Sequence, residues 1–132
     1  MAIQVPPNCD LTLGLNCLEK SEAGTTTWRA AVDERFLNPA GVVQGGFLAA
    51  MLDSAMGASA VSAYHQRSVN VTNTEMNVSF LHSARPGDVL TCVATVLKPG
   101  RIVAFLESRI TNQDGDLVAR ASSTFLIRER SE

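Results

Sequence analysis

The chain has 132 residues, 45% of them hydrophobic, enough for one domain, residues 1–132, whose core needs no disulfide or metal staple. Its 11 basic and 13 acidic residues leave a net charge of −2 and form no run of like sign, so a nucleic-acid stripe is not indicated. The three cysteines, Cys9, Cys17 and Cys92, lack the spacing of a zinc site or a redox pair, and suit a reducing cytoplasm.

In chain order, residues 1–7 show no basic region followed by an apolar stretch and do not read as a signal peptide. Residues 11–19 read as a short helix running into a strand, with Ser21-Glu22-Ala23-Gly24 as the turn after it. Residues 25–36, β-branched around Trp28, predict a strand that Asn38-Pro39-Ala40-Gly41 stops. Gly45-Gly46 then opens a long helix through residue 63, with His65 still on it. Apolar residues occupy nearly every face of this helix, so it must be covered all round. Its length approaches that of a bilayer span. Ala, Gly and Ser dominate it, however, and an ionised Asp53 at mid-bilayer would cost about 2.5–3.5 kcal/mol, so a buried core helix is expected.

Residues 69–81, 89–97, 103–111 and 117–128 read as strands. The connectors Arg85-Pro86-Gly87-Asp88, Lys98-Pro99-Gly100-Arg101 and Asn112-Gln113-Asp114-Gly115-Asp116 have hairpin chemistry and predict an antiparallel meander. One all-apolar helix among such strands is satisfied if the sheet curls around it, an α+β arrangement. The sheet keeps edges that so small a chain cannot cover, so at least a dimer is expected.

Most catalytic classes lack their residues. His65 and His82 make no triad with a Ser or Cys, and no phosphate loop, dinucleotide fingerprint or H-E-x-x-H is present. What remains is the run from Asn38 to Gly46 and the helix carrying Asp53. Amides at a helix N-terminus are unpaired and sit at the positive dipole end, so Gly45 and Gly46 could donate to a carbonyl oxygen that becomes an oxyanion. Asn38 and Gln44 add amides, and Asp53 could act as nucleophile or as general base on water. The plainer readings are a Gly-Gly turn, Asn38 as a turn residue, Gln44 as a helix cap, and Met51 and Met56 as core. A lone Asp among small and apolar residues is more informative, since a buried carboxylate must be paired, hydrogen-bonded or neutralised.

The run N-P-A-G-V-V-Q-G-G-F-L-A-A-M-L-D, residues 38–53, resembles the hot-dog-fold thioesterases, in particular the phenylacetyl-CoA thioesterase-like (PaaI-type) branch. There Asn-x-x-Gly-x-x-His-Gly-Gly precedes an Asp on the central helix. The likeness continues through Asn77-Val78-Ser79-Phe80-Leu81, Ala84-Arg85-Pro86-Gly87-Asp88, Lys98-Pro99-Gly100-Arg101 and Asp114-Gly115-Asp116-Leu117-Val118-Ala119, and covers about residues 10–128. It implies a curved antiparallel sheet around one central helix and a hydrolase for acyl-CoA or acyl-carrier thioesters that needs no cofactor or metal. The site would form between facing subunits of a homodimer, itself pairing into a tetramer, with no nucleic-acid or membrane partner. The resemblance implies that Asp53 is nucleophile or base, that the Gly45 amide is the oxyanion hole, and that Asn38 positions nucleophile or water. Asn73, with Thr74 beside it, falls nearest the place of a polar residue supporting the attacking water.

The departure is Gln44, where the motif has His; an amide donates hydrogen bonds but supplies no proton at neutral pH. A non-hydrolytic acyl-thioester binding or regulatory protein is therefore the alternative, while a dehydratase would ask for a catalytic His that the loop lacks. The acyl group is expected beside Phe47, Met51 and the sheet, with Gly46 lining the site. Arg101, with Arg85 or Lys98, could meet CoA phosphates, against the plainer reading of solvated turn charges.

Overall fold

The computed structural model describes residues 4–130; residues 1–3, part of the stretch read for a signal peptide, lie outside them. Two α-helices, α1 (Asn8–Leu13) and α2 (Gly45–Ala63), accompany six strands: β1 (Asn16–Glu19), β2 (Thr25–Ala31), β3 (Val69–Phe80), β4 (Val89–Pro99), β5 (Val103–Thr111) and β6 (Leu117–Glu129). All pairings are antiparallel, in the order β1-β2-β4-β5-β6-β3.

The meander β4-β5-β6 follows its hairpin turns, but Arg85-Pro86-Gly87-Asp88, expected to close a hairpin, does not, since the strands on either side of it are not paired with each other. β3 instead precedes β4 in the chain yet pairs with β6 at the far edge, because α2 separates it from β2 and the chain must pass under the sheet. The face turned to α2 is rich in small residues, Ala30, Ala94, Ala104, Ala119 and Ala121, against Ala55, Ser59 and Ala60 of the helix, which lets the sheet close around it. Phe125, Met51, Leu52, Met56 and Leu106 fill the space between. One buried polar knot crosses three elements. Trp28 Nε1 donates to Thr26 Oγ1 (2.8 Å), Thr26 and Ser59 hydroxyls meet at 2.7 Å, and Ser59 Oγ donates to the Ala94 carbonyl (2.9 Å).

Four further sequence expectations change. The helix before β1 starts at Asn8 and ends at Leu13, where Gly14 takes a left-handed conformation (φ 66°) that a helix cannot propagate. The strand expected to reach residue 36 stops at Ala31. Asp33 accepts the Arg35 N–H at 2.8 Å and caps a 3₁₀ turn, Glu34–Phe36, whose Phe36 turns into the core. His65 lies beyond α2, which ends at Ala63 with Tyr64 as its cap, so it shares no helix with Asp53. Finally, α2 is not covered all round. Gly46, Ala50, Asp53, Gly57 and Val61, at helical spacing, form a stripe that is exposed or half-buried in the single chain. On that side α2 has no strand over it.

Candidate active site

The Asn38–Gly46 run folds as a miniature hairpin. Asn38 N–H donates to the Val42 carbonyl (2.8 Å), Gly41 N–H to the Asn38 carbonyl (2.9 Å), and Leu37 and Val43 bridge antiparallel. Gly41 sits at φ 77°, where a side chain would be strained. The Asn38 Oδ1 accepts from Ala40 N–H (2.9 Å) and Val42 N–H (3.3 Å), so this oxygen shapes the loop and only the Nδ2 side is left for anything else. Two backbone bonds hold the loop to its surroundings: Gln44 N–H to the Phe36 carbonyl (2.8 Å) and Val43 N–H to the Ala84 carbonyl (2.9 Å). The Phe36 and Phe47 rings stack at 4.4 Å beneath it.

Gln44 occupies the N-cap position of α2 in extended conformation, but its side chain makes no capping bond. The Gly45 and Gly46 N–H groups therefore stand at the helix start with no intrahelical acceptor. Gly45 lines a cleft of about 360 Å³ together with Leu48, Phe80 and His82. Gln44 and Gly46 line another, mostly apolar, of about 430 Å³ between α1 and α2, with Leu13, Phe47 and Ala50. Met51, expected beside the acyl group, is instead 1% exposed and belongs to the core.

Asp53 lies on the open stripe of α2, solvent-exposed in the single chain rather than buried. Its Oδ1 accepts from Asn73 Nδ2 at 2.9 Å, and Asn73 Nδ2 also reaches Ser123 Oγ at 3.2 Å. Asn73 Oδ1 is buried and has no partner. A bulge explains this contact. Against β6, Asn73 pairs with Phe125 and Glu75 with Thr124, so Thr74 is the extra residue, its hydroxyl bonded to the Thr124 carbonyl (2.9 Å). The bulge switches the parity of β3, so that Val69, Val71 and Asn73 before it and Met76 and Val78 after it all turn toward α2.

The structure thus brings Asn73 to Asp53 and Asn38, Gln44, Gly45 and Gly46 into one loop, but the two groups stay apart in a single chain. Gly45 and Asp53 are eight residues apart on α2, about 12 Å along its axis at 1.5 Å per residue. Arg101, exposed at the β4–β5 tip, lies near the other end of α2, where Tyr64 Oη donates to the Gly100 carbonyl (2.5 Å). Sequence reasoning missed Ser123 beside Asn73, and Phe80 and His82 beside Gly45. Nothing local marks them, since their placement depends on strand register and on the Val43–Ala84 bond. Of the cysteines, Cys92 is buried and its thiol is pushed up to about 12 by desolvation, which leaves it inert as a nucleophile.

Residues 40–119 match the family model described as the thioesterase superfamily. The chain belongs to the thioesterase superfamily. The superfamily's hot-dog fold is the architecture seen here, with its curved sheet around α2, and membership makes the chain a thioester hydrolase. This thioesterase is 33% identical to a phenylacetic acid degradation-related protein from Ralstonia eutropha JMP134, covering 94% of this chain and 92% of that one, with a TM-score of 0.83. It is 26% identical over 118 residues to acyl-coenzyme A thioesterase 13 from Homo sapiens, 89% of this chain and 83% of the relative. The PaaI protein of the E. coli phenylacetic acid degradation operon shares the fold at a TM-score of 0.85 and 21% identity, over 96% of this chain and 86% of that one.

Proposed function

We propose that this thioesterase hydrolyses acyl-CoA at a site shared by two protomers, Asp53 of one working on a thioester held by the Asn38–Gly46 loop of the other. The observation that carries this reading is the open, Asn73-held carboxylate on the uncovered stripe of α2. A group meant only for solvent needs no such partner, and one meant for its own chain's loop would not sit about 12 Å from it. A two-fold partner set against that stripe would bring each Asp53 toward the other chain's loop.

In this arrangement the thioester carbonyl oxygen accepts from the Gly45 N–H, at the positive end of the α2 dipole, and the acyl group extends along Phe47 and Ala50. Asp53 either takes a proton from an attacking water or attacks the carbonyl itself, forming an anhydride that water opens. The likeness over 118 residues to an acyl-coenzyme A thioesterase favours CoA as the thiol.

Steady-state thiol release from aryl, short-chain and long-chain acyl-CoAs, by wild type and Asp53→Asn side by side, tests this. The substitution is expected to lower kcat at least about a hundredfold with little change in KM. Turnover that survives the substitution would sink the role of Asp53. Binding of every acyl-CoA without turnover would favour the non-hydrolytic reading, with Gln44 as its mark.

A further inference from the structure

We propose that His82 is the acid that protonates the departing thiol, a catalytic residue supplied from outside the loop whose own motif position holds Gln44. The inference rests on the acyl-CoA hydrolysis set out above. Three observations support it.

The first is location. His82 lines the same cleft as Gly45, and it is the one titratable side chain in that lining. Its place is fixed by backbone rather than by chance contact: Leu81 and His82 N–H both donate to the Val118 carbonyl, at 2.8 and 3.2 Å, and Ala84, two residues on, accepts from Val43 of the loop. The backbone bonds after β3 therefore place His82 in the lining of the cleft that also holds Gly45.

The second is charge. His82 Nε2 lies 3.7 Å from Asp116 Oδ2, and both side chains are 50% exposed. Asp116 is itself held, its Oδ2 accepting from Asn112 Nδ2 (3.2 Å) and its N–H donating to Asn112 Oδ1 (3.0 Å). Asp88 stands on the turn between β3 and β4; its carboxyl is held below the usual range chiefly by the Arg85 N–H and by Gln113, with the charges of His82 and Arg85 adding smaller contributions. Asp116 thus stands as the anionic neighbour of the imidazole, with Asp88 and Arg85 on the adjoining turn. With Nε2 turned to Asp116, Nδ1–H is the proton free to leave.

The third is chemical need. Gln44 cannot give a proton, and an imidazole is the side chain whose ordinary titration range spans neutral pH. Once the tetrahedral adduct has formed, the C–S bond breaks, its electron pair goes to sulfur, and the imidazolium proton moves to that sulfur to give the neutral thiol. The carbonyl re-forms as the carboxylic acid on the water route, or as the acyl-aspartyl anhydride on the nucleophile route. Neutral His82 then regains a proton from solvent through the open cleft. The step is the same for either role of Asp53.

Leaving-group dependence tests the proposal. His82→Gln is compared with wild type on one acyl group carried by CoA, by N-acetylcysteamine and by an acidic aromatic thiol. The expected result is a fall in kcat of roughly ten- to a hundredfold for the two alkyl thioesters, with little change for the aromatic one, whose thiolate leaves without a proton. A limb of the wild-type pH profile that depends on His82 should be absent from His82→Gln. Equal losses on all three thioesters would overturn the proposal in favour of a structural role. A KM rise confined to the CoA ester would reassign His82 to binding the nucleotide. If the wild type released no thiol from any ester, the parent reading would fall with it, whereas turnover without leaving-group discrimination removes this inference alone.

Discussion

A methyl group at position 45 would lie 2.9 Å from Phe80 Cζ and 3.0 Å from Phe80 Cε1, so the glycine is there for room as well as for its amide. Phe80 is 54% exposed and lines the cleft it shares with Gly45, so pushing its ring aside reshapes that cleft. Gly45→Ala should therefore lower kcat/KM by about ten- to a hundredfold, the scale of an ångström misplacement in a reacting pair, while leaving the fold intact. Adding Phe80→Ala removes the clash and keeps the N–H, so the double variant should recover most of the loss. A double variant no better than Gly45→Ala would mean that the methyl blocks substrate directly. Residues in this loop were legible as a group, because the run from Asn38 to Asp53 resembles the thioesterase motif. His82 was not, since a histidine at a strand end carries no mark of the cleft that a distant backbone bond places beside it.

At the scale of elements, the hold of β2 on α2 and β4 depends on a few buried hydroxyls. Thr26 accepts the Trp28 indole N–H and shares a hydrogen bond with Ser59, in surroundings where neither can turn to water. Thr26→Val keeps the shape but strands the indole donor, and should cost about 1–3 kcal/mol, read as a lower urea midpoint with unchanged slope. Thr26→Ser, which keeps the acceptor, should lose clearly less; an equal loss would assign the effect to packing. The same elements show what pattern reading can and cannot reach. Hairpin connectors announced β4, β5 and β6, because their turn chemistry is local. The end of β2 was overshot, since Asp33 ends the strand by a side-chain cap that leaves the apolar alternation through Phe36 undisturbed. In β3 the bulge at Thr74 hides the fact that Asn73 and Met76 face the same side, so Asn73 could be placed only by resemblance.

Two unfinished features of the whole molecule lie close together: β3 is an edge strand, paired on one side only with β6, and α2 shows its Gly46–Ala50–Asp53–Gly57–Val61 stripe with no strand over it. Small residues allow close approach of another backbone, and a long strand edge invites pairing, so one two-fold contact could satisfy both. Such a partner would put Asp53 and Gly45 of opposite chains in one site, which a mixing experiment separates from a site within one chain. Asp53→Asn lacks the carboxylate, and Gly45→Val crowds the loop; each homodimer should be inactive. In a heterodimer of the two, one site has both defects and the other has neither. Random mixing makes half the dimers hybrid with one sound site in two, so about a quarter of wild-type activity should return on co-expression. If each site lay within one chain, every chain in the mixture would still carry a defect and no activity would return.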